Sequence, residues 1–151
     1  MAFISIKIPL NFRILLFIIL LVSWVSGVTF YLLNNYVIVE GDFGPEKHPW
    51  QYNVLMTHGA AAFGMMIFYG SLLTSHIPSG WKSRRLKKLG ISMLIALSVQ
   101  VITAYLLYYM GDEQWRIIIA NIHAFNGFVF PLLLITHIVF GMRFRRKRAA
   151  K

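Results

Sequence analysis

Cysteine is absent from all 151 residues, which removes disulfides, thiolate metal sites, iron–sulfur clusters, thioether-attached haem and thiol catalysis. Acidic residues are nearly absent too. There are five, against 15 Lys and Arg, and all five lie outside the long apolar stretches described below. A proton-coupled transporter made of short membrane helices normally carries a carboxylate within the membrane, where protonation and substrate charge exchange. This chain has no such group. Charged residues of either sign amount to 13 %, whereas 58 % of residues are hydrophobic, more than one soluble core can hide. The net charge of +10 does not point to nucleic acid, because the basic residues flank apolar stretches, where they set topology and meet anionic lipid.

What the chain does have is four apolar stretches, at about 14–33, 52–77, 89–109 and 117–142. Each reaches the roughly 20 residues a helix needs to cross bilayer hydrocarbon. The expected fold is all-α: one integral membrane four-helix bundle over residues 1–151, with no repeat or linker. Lys7 and Arg13 precede the first stretch, Lys82, Arg84, Arg85, Lys87 and Lys88 fill the second loop, and Arg143, Arg145, Arg146, Lys147, Arg148 and Lys151 follow the fourth. The positive-inside rule makes that side, and both termini, cytoplasmic. Lys47 and Arg116 share the other side with Glu40, Asp42, Glu46, Asp112 and Glu113. Trp50, Tyr52, Trp81, Tyr108, Tyr109 and Trp115 sit at stretch ends, as an aromatic belt does. The first stretch reads as a retained helix, and the external loop 34–51, with Gly41, Gly44, Pro45 and Pro49, as an ordered turn-rich cap.

Four histidines interrupt these stretches: His58 and His76 on the second, His123 and His137 on the fourth. Imidazole is costly in hydrocarbon unless something binds it. On a continuous helix the 18-residue step from His58 to His76 is five turns, and the 14-residue step from His123 to His137 falls about 40° short of four, so each pair shares a face. Both stretches run from outside to inside. His58 and His123 therefore lie in the outer half and His76 and His137 near the inner end, in two layers more than about 20 Å apart. One ion cannot serve both layers. The arrangement fits two macrocycles stacked across the membrane, each between a pair of histidines.

Small residues point the same way, since a macrocycle wedged between helices needs walls without side chains. Gly59, Ala60, Ala61, Ala62 and Gly64 follow His58, while Gly127 follows His123 and Gly141 follows His137 at the same four-residue offset. Gly27 and Gly90 are further candidates. Each of these glycines equally suits plain helix packing. Pro131 removes the backbone hydrogen bond to Gly127, which favours a bend between His123 and His137. Arg116, two turns outward of His123 and on nearly its bearing, is the candidate partner for an outer carboxylate, with Lys82, Arg84 and Arg85 as inner counterparts. Gln100, Thr103, Asn121 and Asn126 suit either a quinone site or hydrogen bonds between helices, and His48 reads as an ordinary loop residue.

On His58, His76, His123 and His137 the chain resembles the membrane cytochromes b, in which two haems are each held by one histidine from each of two facing helices. The resemblance covers the second to fourth stretches. The 14-residue step matches that family's usual separation, whereas the 18-residue step differs and points to small bacterial four-helix members, including superoxide-oxidase-like and flavinylation-associated ones. The resemblance implies two non-covalent haem b groups and electron transfer across a bacterial cytoplasmic (inner) membrane. The outer haem would be held by His58 and His123 and the inner by His76 and His137, with electrons exchanged with a quinone or a soluble redox protein. It also allows a role as a homo-oligomer or as one subunit of a larger membrane oxidoreductase. The alternative from another class is a haem-free membrane anchor or assembly subunit, which would not need histidines paired by depth. The direction of electron flow stays open at this stage.

Overall fold

A long apolar stretch satisfies every backbone donor and acceptor within one segment only as a helix, and that is the form these stretches take. The computed structural model describes residues 9–83 and 86–149. It is mostly helical, and four helices are long and apolar enough to cross a membrane: Leu10–Tyr36, Gln51–Thr74, Lys87–Tyr109 and Glu113–Phe144. In chain order the elements are α1 (Leu10–Tyr36), β1 (Ile38–Gly41), β2 (Gly44–Lys47), α2 (Gln51–Thr74), α3 (His76–Ser83), α4 (Lys87–Tyr109) and α5 (Glu113–Ala149). They fall into two units that divide between Gly70 and Ser71.

In the first unit α1 and α2 run antiparallel. Phe12 meets Phe68 edge to face at 4.8 Å, Ile19 lies against Gly64, and Gly27 lies against His58. The loop between them is a two-stranded hairpin in which Ile38 pairs with Lys47 and Gly41 with Gly44. Gly44 has φ +113°, a conformation open to glycine and strained for other residues, which is why the chain can reverse at Asp42 and Phe43. Lys47 Nζ donates to the Asn34 carbonyl at 2.8 Å and Gln51 Nε2 to Asn34 Oδ1 at 3.0 Å, tying the hairpin to the end of α1. His48 caps the start of α2: its Nδ1 accepts the Trp50 N–H at 3.2 Å and its carbonyl accepts the Gln51 N–H at 2.9 Å. The ordered cap expected from the sequence is this hairpin.

The second unit holds α3, α4 and α5, with α4 packed antiparallel on α5 and α3 on α4. The structure corrects the second stretch at its inner end. The expected helix over 52–77 stops at Thr74, and His76 opens a separate helix. The reason is Pro78, which has no N–H to return to the Thr74 carbonyl but is tolerated in the first turn of a new helix. The Ser75 N–H and hydroxyl both donate to the Ser71 carbonyl, at 3.1 and 2.6 Å, and close the last turn of α2. The five-turn step from His58 to His76 is therefore not carried by one helix. Lys87 Nζ lies 4.2 Å from the centre of the Trp81 ring, joining α3 to the start of α4. Pro131, by contrast, lies inside α5, which continues through it. Asp112 Oδ1 accepts the Trp115 N–H at 2.9 Å and so caps α5.

Few side chains are buried. Among the described residues, Ala61, Phe68, Ala96 and Ile119 are the buried apolar ones and Ser26 and Thr103 the buried polar ones, while Leu21, Ile67, Phe125 and Leu132 are each more than 60 % exposed.

Candidate functional site

Each of the four membrane-stretch histidines has a defined environment, and the four environments differ. His58 is half-buried on α2, and its ring sits on Gly27 of α1, where a Cβ would come within 2.8 Å of His58 Cε1. Its Nδ1 lies 2.9 Å from the Ser23 carbonyl and 3.3 Å from Ser26 Oγ. A carbonyl only accepts, so Nδ1 carries the proton and Nε2 carries the lone pair. Ser26 is compatible with that tautomer because its own hydroxyl donates to the Val22 carbonyl at 2.6 Å.

His123, on α5, is also half-buried. Thr103 Oγ1 lies 2.9 Å from its Nδ1, and the Thr103 hydroxyl donates to the Val99 carbonyl at 2.7 Å. The hydroxyl oxygen therefore accepts, and His123 is again protonated on Nδ1 with the lone pair on Nε2. That lone pair faces the Gln100 amide, whose Nε2 lies 3.0 Å away and donates to it. Gln100 is in turn held by Asn126 Nδ2, which donates to Gln100 Oε1 at 2.6 Å and to the Ala96 carbonyl at 2.9 Å. Of the four polar residues singled out in the sequence, Gln100, Thr103 and Asn126 thus form one hydrogen-bonded set around His123, and Asn121 is exposed.

His76 and His137 come together. Their ring centroids are 6.3 Å apart with the planes at 76°. His76 is exposed and His137 half-buried. Yet His137 Nδ1 is itself buried and has no hydrogen-bond partner among the described residues. A buried polar atom left in that state costs about 1–3 kcal/mol, so it calls for an explanation.

The glycines assigned to haem walls face protein side chains. A Cβ on Gly64 would meet Ile19 Cδ1 at 3.1 Å, one on Gly127 would meet Gln100 Nε2 at 3.2 Å, and one on Gly141 would meet Leu86 Cδ1 at 3.8 Å. Gly64 and Gly127 thereby allow close approach between helices, whereas the Gly141 contact is ordinary. Gly27, a further wall candidate in the sequence, lies against the His58 ring and shapes its seat.

Arg116 is exposed on the first turn of α5 and lines an open cavity of about 420 Å³ with Gly111, Glu113 and Ala120. Of the inner basic candidates, Arg84 and Arg85 lie outside the described residues. Among the described residues no three His, Cys, Asp or Glu side chains converge on a point. Of the four histidines, His76 and His137 are the two whose rings are brought together. The chain matches no family model, no curated protein and no solved structure.

Proposed function

We propose that this protein is a membrane-spanning di-haem cytochrome of the b type that carries electrons between the two faces of a bacterial cytoplasmic membrane. The observation that carries the reading is the His76/His137 pair. Two imidazoles bound to opposite faces of one metal ion through bonds of about 2 Å bring their ring centres to about 6 Å, and these rings stand at 6.3 Å. An edge-to-face contact alone gives a similar distance, and the haem content decides between the two.

The second haem is assigned to His58 and His123 from their matching depth in the sequence. Support from each unit separately is the shared tautomer: in both rings Nδ1–H is donated and the lone pair is on Nε2. This is the arrangement in which an outer partner orients a metal-binding imidazole and raises its basicity. At His123 an iron competes with the Gln100 amide, a loss of about 1 kcal/mol for one ordinary hydrogen bond, which a metal–nitrogen bond exceeds. The haem supplies one-electron redox chemistry when bound. His58 and His123 would hold one haem and His76 and His137 the other, and the apolar helices would keep water from both. Quinone or a soluble redox protein is the proposed exchange partner.

A second reading has one specific observation in its favour. His123 is hydrogen-bonded on both nitrogens to α4, as a purely structural interhelical histidine would be. That reading makes the chain a haem-free anchor or assembly subunit. A pyridine haemochrome assay on the gently solubilised protein separates the two, with two haems per chain expected and none giving the protein to the anchor reading.

Arg116 is the proposed propionate partner of the outer haem. The exposed guanidinium at the cavity mouth suits it to pair with a carboxylate. Arg116→Leu removes a positive charge near the iron and so favours the oxidised, more positive centre. The outer midpoint potential is expected to fall while the inner one holds, which a spectroscopic redox titration reads. Two unchanged potentials with haem content intact would make Arg116 an interfacial anchor.

A further inference from the structure

We propose that the turn from α3 into α4 is a seat for one anionic phospholipid, with Trp81 and Lys87 holding its phosphodiester end and the open space at Gly90 taking the start of an acyl chain. The seat rests on the membrane-spanning part of the reading above and not on the haems.

The eight residues of α3 make about 12 Å of helix, too little to cross hydrocarbon. Pro78 and Trp81, three residues apart, are exposed on it, while Ile77 and Gly80 are half-buried. A short helix with an exposed tryptophan, joined to a basic segment, belongs in the headgroup layer, where the ring meets apolar matter and the indole N–H meets polar groups. Leu86 then reverses the chain with φ 49° and brings α3 back onto α4. The result is the Trp81–Lys87 contact, with the ammonium 4.2 Å from the ring centre. The ring holds in place a charge that a long side chain would otherwise carry through many rotamers.

Charge complementarity identifies the occupant. Lys87 and Lys88 are exposed at the start of α4, and the contact of Leu86 with Gly141 sets them beside the end of α5, where Arg143 is exposed as well. Between Glu46 and Asp112, and again beyond Glu113, the sequence has no Asp or Glu. Glu113 itself is 30 residues from Arg143 along α5, or about 45 Å. This cationic end therefore has no carboxylate of its own segments, and its counter-ion comes from outside. Inorganic phosphate would meet the charge alone. A phospholipid meets the apolar surroundings too: Trp81 is 52 % exposed, and a Cβ on Gly90, one turn into α4 from Lys87, would touch nothing within 4 Å. Gly90, a haem-wall candidate in the sequence, thus leaves room for a chain at the point where α4 passes from the basic turn into its apolar stretch.

The test is native mass spectrometry of the full chain, released from detergent micelles that carry phosphatidylglycerol or phosphatidylcholine. The wild type should retain one phosphatidylglycerol and no phosphatidylcholine. Lys87→Gln should weaken that retention about fivefold, the effect of one cation at a membrane surface. Trp81→Leu should weaken it as well, and Lys87→Arg should keep it. Lys87 and Trp81 are exposed, so thermal unfolding of these variants should match the wild type. Arg13→Gln removes an exposed cation of α1 that the charge rule puts on the same membrane face, and retention should hold in it, as it would not under diffuse attraction to positive charge. Equal retention of the two lipids, or equal losses in Arg13→Gln and Lys87→Gln, overturns the seat while leaving the chain a membrane protein. Displacement of the lipid by inorganic phosphate overturns it too, in favour of a site for free anions. A chain that stays in solution once detergent is removed overturns the membrane reading itself.

Discussion

On the di-haem reading, replacing His137 with alanine is expected to take the protein from two haems per chain to one, with loss of the spectral component that also disappears in His76→Ala. Both effects should be large, because a single imidazole in a low-dielectric site holds a haem far less tightly than two. The ring centroids stand 6.3 Å apart, edge to face, so on this reading each variant removes one side of the same centre. For that reason the His76→Ala, His137→Ala double variant should lose no more haem than either single one, the non-additivity that marks residues acting as a unit. Added imidazole should restore part of the lost component in His137→Ala, since it refills the vacated axial position, whereas a mere packing defect would not respond to it. Pyridine haemochrome quantitation with difference spectra measures all three. Full haem content in His137→Ala would remove the pair from the ligand set.

The second large effect belongs to a residue that touches no cofactor in this reading. Gly27→Val should abolish the centre that depends on His58 and destabilise the protein by about 1–3 kcal/mol, the usual cost of overpacking. A Cβ at Gly27 would stand 2.8 Å from His58 Cε1 and 3.1 Å from Nδ1, already too close before the valine methyls are added. The ring cannot give way cheaply, because its Nδ1–H is held by the Ser23 carbonyl at 2.9 Å on the same helix as Gly27. Either the hydrogen bond breaks or the helices separate, and in both cases Nε2 leaves its position. Gly64→Ala is the comparison: its Cβ would meet Ile19 Cδ1 at 3.1 Å and Cγ2 at 3.3 Å and no histidine, so Ile19 must give by a few tenths of an ångström while haem content should hold. Haem quantitation and thermal unfolding in detergent give the readings. Loss of haem in Gly64→Ala and not in Gly27→Val would return Gly64 to the role of haem wall and free Gly27 from its role as the seat of His58.

The sequence alone determined the helical fold class and the number of long apolar helices, because those depend on length and composition over some 20 residues, a signal too strong for tertiary contacts to reverse. It also singled out the four histidines, since imidazole is conspicuous in an apolar run. Other features depended on the folded chain. Pro78 ends α2 at Thr74, where hydropathy runs on without a break, because hydropathy does not register a missing N–H. The roles of Gly27, Gly64 and Gly127 followed from which side chain stood opposite, and composition gives no information about a neighbour from another helix. The partners of the histidines were decided in the same way. His123 is joined to Gln100 and Thr103 over 23 and 20 residues, and His137 faces His76 while its Nδ1 stays unpaired among the described residues. A sequence places a histidine at a depth and on a face, but its tautomer is set by the acceptor that faces Nδ1, and only the packing of one helix on another supplies that atom.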